Sequence, residues 1–362
     1  MKVLLCCILK MENHYLEEWL RHYVNIGVDK IVIFDNNDID GKYAESIFDL
    51  DYVNECKSKN IIDVHSIPGE KQAQTRCYNK CYELYAKDYD WLMFFDIDEF
   101  LMLERHKSIK EFLAQPKFDA FEMIHVNWKV YDDNDIISVV DNDYSLVKRF
   151  TRVSQGRRSI HSELKTIVRG GMTNVKFVKN PHTCDNRSFK CCNVLGQATS
   201  SKAAKTAIVI HKDAWLNHYI CKTIEEFCYN KLVRRGGHTL HKKDLRYNLT
   251  FFFNYNKRTA DKIKYFKENF DQTGVNIKTE YIASPAAVVI RGENESDKPK
   301  LVKRAGAATT TPVYTPVIKE KYVQRLKDDY PSPVAKTKSV KQTTVKPVKR
   351  VPPDLINVFR NK

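Results

Sequence analysis

The sequence predicts an α/β protein built on a parallel sheet, layered α-β-α, and three observations predict it. Apolar runs of strand length alternate with amphipathic helical stretches over residues 1–103, the pattern of linked β-α-β units. The run Trp91–Phe95 places five large apolar residues in succession, which suits a strand buried on both faces. That run leads directly into Asp96-Ile97-Asp98-Glu99, so carboxylates fall at the C-terminal end of a strand. In an open α/β sheet that end is where ligands bind, and a nucleotide is the default ligand.

Val3–Leu9 is the first strand by its apolar run. Asn13 is the expected N-cap of a helix. Leu16, Trp19, Leu20, Tyr23 and Val24 then follow the i, i+3, i+4 rule for a helix packed on a sheet, and Gly27 ends it. Lys30–Phe34 is a second strand and Asp35-Asn36-Asn37-Asp38 a turn. Ile61–Ser66 is a strand, Lys71–Ala86 a helix and Trp91–Phe95 the fourth strand. After Leu103 the pattern loosens. A helix is expected over Ser108–Ala114, strands over Phe118–Tyr131, Ser145–Arg152, Leu164–Val168 and Ala207–His211, and helices over Thr223–Arg235 and Thr259–Phe270.

The chain of 362 residues is 43 % hydrophobic, ordinary for a globular protein. Its net charge of +15 is unevenly placed. Residues 281–362 carry 17 Lys/Arg against 7 Asp/Glu, nine of the twelve prolines and no cysteine. A Lys/Pro/Thr/Val segment without period is expected to be a disordered basic tail. The first 280 residues carry only +5, so the charge says little about the ligand of the fold. The ten cysteines form no paired C-x-x-C sites, which disfavours a zinc ribbon and fits a reducing compartment. Val3–Leu9 is too short for a signal segment, and Lys10 and Glu12 follow where small residues would mark cleavage. No run reaches transmembrane length. The expected location is cytoplasmic, with peripheral membrane contact through the basic tail left open.

Two carboxylates one residue apart repel, and a hard divalent cation removes that cost. Mg2+ or Mn2+ takes oxygen ligands and shares them with substrate phosphates. Asp96 and Asp98 are therefore the candidate metal pair, against the alternative of a solvated acidic turn. Glu12 and Asp35 end the first two strands, where a carboxylate can accept from a base or ribose. Asp35-Asn36 also satisfies a plain Asx turn. Lys165, Arg169 and Arg76 are cations suited to a diphosphate. Trp128 and Trp215 are candidates for stacking on a sugar, although core packing is the commoner use of Trp.

The ordered motifs of residues 1–270 resemble glycosyltransferases of the GT-A fold, most closely the family 92 and family 2-like enzymes. Lys10-Met11-Glu12 with Tyr15-Leu16-Glu17-Glu18-Trp19 is similar to the family opening K-N-E-x-x-Y-L-x-E-W. Gly27-Val28-Asp29 and Phe34-Asp35-Asn36-Asn37-Asp38-Ile39-Asp40 resemble its G-V-D and Y-D-N-x-S-x-D. Gln74, Cys77, Tyr78 and Cys81 fall on its Q-x-x-A-Y-x-x-C, and Asp96-Ile97-Asp98-Glu99-Phe100 matches its D-x-D-E-F outright. Lys165-Thr166-Ile167-Val168 with His182 resembles its K-T-I-V and following His. Asn217-His218-Tyr219, Lys222, Glu226-Phe227, Lys231 and Arg235-Gly236 resemble N-H-Y-x-x-K-S-x-E-E-F-x-x-K-x-x-R-G. Met11 stands in place of Asn, Tyr23 in place of His with His22 one position early, Asp38 in place of Ser and Thr223 in place of Ser.

The resemblance implies a GT-A domain over residues 1–280. Residues 1–103 form its nucleotide-sugar half and 104–280 its acceptor half. It implies a metal-dependent, inverting transfer of a sugar from a nucleotide diphosphate sugar to a hydroxyl of a glycan or other acceptor. Mn2+ or Mg2+ would sit on Asp98, with Asp96 touching ribose or metal and His182 or His218 as third ligand, His182 favoured. Glu12, Asp35, Gln74, Arg76, Asp96 and Lys165 are the expected nucleotide-sugar contacts. The catalytic base is open among Glu163, Asp213 and His161, taken by position alone. Two rivals stand beside this. A nucleotidyltransferase also uses D-x-D, but Ile67–Asp90 lacks the Gly pair expected upstream. A nucleic-acid-binding protein would use the tail and Phe251-Phe252-Phe253-Asn254-Tyr255, yet the tail lacks interleaved aromatics and no nucleic acid is expected.

Overall fold

The computed structural model describes residues 1–37, 46–156, 158–178, 180–184, 188–200, 204–233 and 249–269. Asp38, Ile39, Asp40, Arg235, Gly236 and the tail 281–362 lie outside the described residues.

The chain begins β1 (Val3–Leu9), α1 (Asn13–Asn25), β2 (Lys30–Asp35), α2 (Asp51–Ser58), β3 (Ile62–Ser66), α3 (Gln74–Tyr85) and β4 (Trp91–Phe94). These strands lie in the order β3-β2-β1-β4, all parallel. The order reverses at β1, which opens a crevice between the C-terminal ends of β1 and β4. Alternation along β1 fixes the layers. Val3, Leu5, Cys7 and Leu9 pack with Leu16, Trp19, Leu20 and Tyr23 of α1. Leu4 and Cys6 pack with Cys77, Tyr78, Cys81 and Tyr82 of α3 on the opposite face. The α/β expectation with helices on both faces therefore holds.

The second half adds β5 (Glu99–Leu103), α4 (Ile109–Leu113), β6 (Met123–Val130), α5 (Leu146–Arg149) and β7 (Leu164–Arg169). It continues with β8 (Cys191–Asn193), β9 (Ala198–Thr199), β10 (Ala214–His218), α6 (Ile224–Phe227), α7 (Leu249–Phe253) and α8 (Ala260–Asn269). The sheet extends from β4 through β7, β6 and β10 to β5, with β7 antiparallel to both its neighbours and β10 antiparallel to β5. Two expected strands are corrected. Ser145–Arg152 contains the helix α5, because Ser145 Oγ accepts from Lys148 N and caps a turn. Ala207–His211 is irregular, and the strand is β10, starting after Asp213 at φ +67°. The Thr223–Arg235 helix is α6 followed by a π-turn over Cys228–Val233.

All ten cysteines are free and buried. No helix among the described residues is long and apolar enough to cross a membrane. Two buried polar clusters join distant segments. Arg149 grips Glu226 through both terminal nitrogens, at 2.9 and 2.7 Å, and Tyr15 Oη donates to the same carboxylate at 2.7 Å. Burial pushes the Glu226 carboxyl up, but Arg149 overrides it and holds the group at about 2. Lys262 of α8, fully buried, reaches Asp133 at 2.7 Å and Asp135 at 3.1 Å, tying α8 to the loop after β6.

Candidate active site

β4 delivers Asp96 and Asp98 to the mouth of the crevice, and α1 holds the turn between them and β5. Trp19 Nε1 donates to the carbonyls of Asp96 and Glu99, and Tyr23 Oη donates to the Glu99 carbonyl at 2.9 Å. Tyr23 Oη also accepts from Leu101 N, while His22 Nε2 meets the Leu101 carbonyl at 2.9 Å. The swapped positions His22 and Tyr23 thus both pair with β5 backbone.

Asp96 is ringed by donors. Its Oδ1 accepts from Gln74 Nε2 at 2.7 Å and Tyr78 Oη at 3.1 Å, and its Oδ2 from Lys165 Nζ at 2.9 Å. Lys165 Nζ also stands 3.4 Å from Glu99 Oε2. Asp98 Oδ2 accepts from Lys222 Nζ at 2.7 Å, and Asp98 Oδ1 lies 3.5 Å from His218 Nε2. Three carboxylates within four residues are therefore met by two buried ammonium groups. Burial raises each carboxyl. Against it, Lys165 brings Asp96 below the usual range, and Lys222 and His218 bring Asp98 well below. Glu99 is left up at about 8, burial outweighing Lys165.

Both candidate histidines are depressed by burial, His182 to about 4. Each is neutral at pH 7 and able to offer a lone pair. His182 Nδ1 meets the Leu164 carbonyl at 2.9 Å, which places its proton on Nδ1 and leaves Nε2 as the basic nitrogen. Trp128 neighbours both rings, 5.2 Å from His182 and 4.1 Å from His218 by centroid, and is buried, so it is packed rather than presented to a sugar. Trp215 is partly exposed under Lys129 Nζ, 4.8 Å from its ring.

The expected site residues separate. Asp96, Asp98, Gln74, Lys165 and His218 come together, with Glu12 Oε1 3.9 Å from Lys222 Nζ. Lys165, expected as a diphosphate contact, has a fully buried side chain that pairs with Asp96 and Glu99 and anchors the acidic turn. Arg76 is exposed and paired with Glu70 at 2.5 Å. Arg169 spends its guanidinium on the Phe118 and Phe121 carbonyls. Asp35 accepts from Asn37 N at 3.0 Å, the Asx turn weighed as its alternative. Asp213 pairs with His106 and Lys117 at the start of β10, five residues or roughly 16 Å from His218 along a strand. It is not brought to the cluster. His161 has both ring nitrogens engaged by Val130 N and the Ser154 carbonyl. Glu163 carries an ion pair to Lys205 at 2.7 Å. Two residues before Lys165 in an extended run, it faces the same side as that lysine.

Lys222 was legible only as a motif position, not as a site residue. What places it is local. Tyr219 N donates to the Asp98 carbonyl at 3.0 Å, and Thr223 forms a capping box with Glu226. Lys222, between these anchors, is held at φ +61°. A left-handed non-glycine residue costs about 1 kcal/mol and persists where its surroundings dictate it. Lys231 adds a third positive charge, felt by Asp98 and His218.

Among the described residues no three His, Cys, Asp or Glu side chains form a protein-only metal cage. The donor set fits the other mode, in which one or two protein groups hold a hard cation and substrate phosphates complete it. Asp98 Oδ1 and the neutral His218 Nε2 are 3.5 Å apart, close to the ~3 Å between adjacent ligands of one ion.

The sequence model of Glycosyltransferase family 92 matches residues 2–220. A glycosyltransferase family 92 protein of Ricinus communis is 33 % identical over 103 residues, 28 % of this chain and 17 % of that protein. One of Arabidopsis thaliana is 28 % identical over 128 residues, 35 % of this chain and 20 % of that protein. The aligned stretches thus span about a fifth of those relatives' own lengths. The crystal structure of S. aureus TarS 1–349 is similar at 12 % identity, covering 64 % of this chain and 63 % of that one with a TM-score of 0.35. The mannosyltransferase PcManGT from Pyrobaculum calidifontis, in complex with GDP-Man and Mn2+, is similar at 11 % identity over 34 % and 35 % of the two chains, TM-score 0.26. Likenesses of that strength carry nothing about chemistry. The family match covers more than half of the chain and includes the acidic turn, β7 and β10, and the chain belongs to glycosyltransferase family 92.

Proposed function

We propose that this chain transfers a sugar from a nucleotide diphosphate sugar to an acceptor hydroxyl, with a divalent cation at Asp98 and His218. The observation that carries the reading is the Asp98–His218 pair, a carboxylate and a neutral imidazole 3.5 Å apart at the mouth of the crevice between β1 and β4. The cation, when bound, would neutralise charge on the departing diphosphate as a Lewis acid.

The chain's own residues supply the rest. Glu12, after β1, and Asp35, the last residue of β2, offer carboxylates to the nucleoside. Gln74, Tyr78 and Lys165 fix Asp96 from three directions, which keeps the acidic turn rigid before substrate arrives. His182 Nε2 and Lys231, both within electrostatic range of the acidic turn, are the groups this reading offers to the diphosphate from the second half. Glu163 is the base of this reading. It takes the proton of the acceptor hydroxyl as that oxygen bonds to the anomeric carbon, while the bond to the diphosphate oxygen breaks with its electron pair. One displacement of this kind inverts the anomeric centre.

A screen of nucleotide sugars for Mn2+-dependent release of nucleoside diphosphate tests the reading. Release that survives EDTA in full would remove the cation, and no release from any donor would remove the transfer.

A further inference from the structure

We propose that Lys222 is a resident counter-ion of the site. It occupies Asp98 in the donor-free protein and yields that carboxylate to a divalent cation only together with a nucleoside diphosphate. The inference rests on the cation site of the proposed function, and it adds that cation and nucleotide bind as a couple.

Four observations carry it. First, Lys222 Nζ lies 2.7 Å from Asp98 Oδ2 with the side chain 1 % exposed, so the pair is dry and tight. Second, the same ammonium has an alternative carboxylate, Glu12 Oε1, at 3.9 Å, with the Tyr15 ring centroid 5.0 Å from Nζ. It can leave Asp98 without losing all compensation. Third, the backbone at Lys222 is fixed by the Tyr219–Asp98 hydrogen bond and the Thr223 capping box. Exchange between the two carboxylates therefore needs only side-chain rotation. Fourth, the two lysines of the cluster differ. Lys165 holds Asp96 and Glu99 at once, so Asp96 stays occupied and Asp98 is the carboxylate open to exchange.

A divalent ion beside Asp98 with Lys222 still at 2.7 Å would gather three positive charges around one carboxylate, with Lys231 close by. Like charges at such distances in a buried site repel strongly. A diphosphate brings the negative charge that lets both cations remain. By linkage, each of cation and nucleotide then raises the affinity for the other by the same factor. Lysine suits this part, being a compact charge on a flexible stem.

The experiment measures Mn2+ binding to the full chain by the electron paramagnetic resonance of free Mn2+, without nucleotide and then with UDP or GDP. Lys222→Met and Lys222→Gln are compared with the wild type, and thermal melts verify folding. The Gln variant keeps a donor near Asp98 in case the Met variant does not fold. The expected result is that nucleotide-free variants bind Mn2+ at least ~10-fold more tightly than wild type, and that nucleotide narrows the gap. A purely structural lysine would leave Mn2+ affinity unchanged or weaken it. Variants that bind nucleotide-free Mn2+ no more tightly than wild type overturn the counter-ion, while the cation site stands if all bind Mn2+ with nucleotide. Absence of Mn2+ binding in every protein with every nucleotide overturns the cation site and the counter-ion with it.

Discussion

The indole N–H of Trp19 is shared between the carbonyl oxygens of Asp96 and Glu99, 3.0 Å from each. One side chain of α1 thereby closes the turn that carries both metal-pair aspartates. Replacing Trp19 by Phe keeps an aromatic ring in the core and leaves both carbonyls without this donor. Each carbonyl keeps a second donor, Glu99 N on Asp96 and Tyr23 Oη on Glu99, so the loss is that of a typical hydrogen bond, about 1 kcal/mol. Trp19→Phe should therefore lower the unfolding free energy by about that amount and reduce donor turnover more than donor affinity. Urea titration and initial rates check the two effects, and a variant as stable and active as wild type would remove Trp19 from the account.

The parts of this site that were legible in the sequence are those set by neighbours along the chain. β1, α1 and β4 announce themselves through apolar runs and the i, i+3, i+4 rule, and the acidic pair follows a buried strand. Thr223 in place of Ser was neutral because either residue caps a helix. Met11 in place of Asn is a different case: the position has φ +50°, a region that Asn tolerates better than Met. What the sequence could not show depends on partners far along the chain. Lys165 meets Asp96 across 69 positions and Lys222 meets Asp98 across 124. Nothing near Lys165 distinguishes a cation aimed at a diphosphate from one buried on a carboxylate. β5 was not read from the sequence: the expected fourth strand stops at Phe95, and the five-residue run Glu99–Leu103 directly after the acidic turn carries no strand signal of its own length. Ser145–Arg152 has strand-like apolar content, yet Glu18 of α1 accepts from Ser145 Oγ and Leu146 N and holds the segment as a turn of helix.

Histidine burial sets an acid limit on stability. Burial holds His22 at about 4, opposed only weakly by the Leu101 carbonyl, whereas an unfolded His titrates near 6.5. Between those values the unfolded chain binds the extra proton, so stability rises with pH and is lost as pH falls from 6.5 toward 4. The contribution is at most on the order of 3 kcal/mol. Glu18 works in the opposite sense: burial raises its carboxyl to about 7, so its ionisation weakens the fold as pH rises from 4.5 to 7. The difference between wild type and His22→Gln cancels that second effect. The variant should lose less stability than wild type between pH 6.5 and 4.5, measured by denaturant unfolding, and parallel curves would sink the assignment.

Helices α7 and α8 pack into the folded unit. Lys262 neutralises Asp133 in a fully buried pair, and Phe252 packs with Cys221, Ile224, Phe227 and Cys228. Breaking such a pair by removing one partner costs roughly 3–5 kcal/mol. Ending the chain after residue 269 should shift the melting temperature by less than about 2 °C. Ending it at residue 248 should lower it by about 10 °C or more. Equal melting of the two truncations would mean that α7 and α8 contribute nothing to the core.

The assignment of the third metal ligand rests on geometry that divides two histidines. His218 Nε2 faces Asp98 Oδ1 at 3.5 Å, whereas His182 is oriented by the Leu164 carbonyl and feels the charge of Asp96. The sequence favoured His182; the structure places His218 beside the carboxylate. Asp98→Asn removes the charge with little change in volume and should abolish transfer at any Mn2+ concentration while the protein still melts cooperatively. His218→Ala should then raise the Mn2+ concentration for half-maximal activity by ~10-fold or more, the scale of a lost ligand or its support. His182→Ala should lower turnover at saturating Mn2+ with that concentration unchanged, because its free Nε2 is the nitrogen available to a diphosphate oxygen. Mn2+ titrations of the three variants decide between them. If His182→Ala shifts the metal requirement and His218→Ala does not, the two roles exchange, and the 3.5 Å approach of His218 to Asp98 is a packing contact against Trp128.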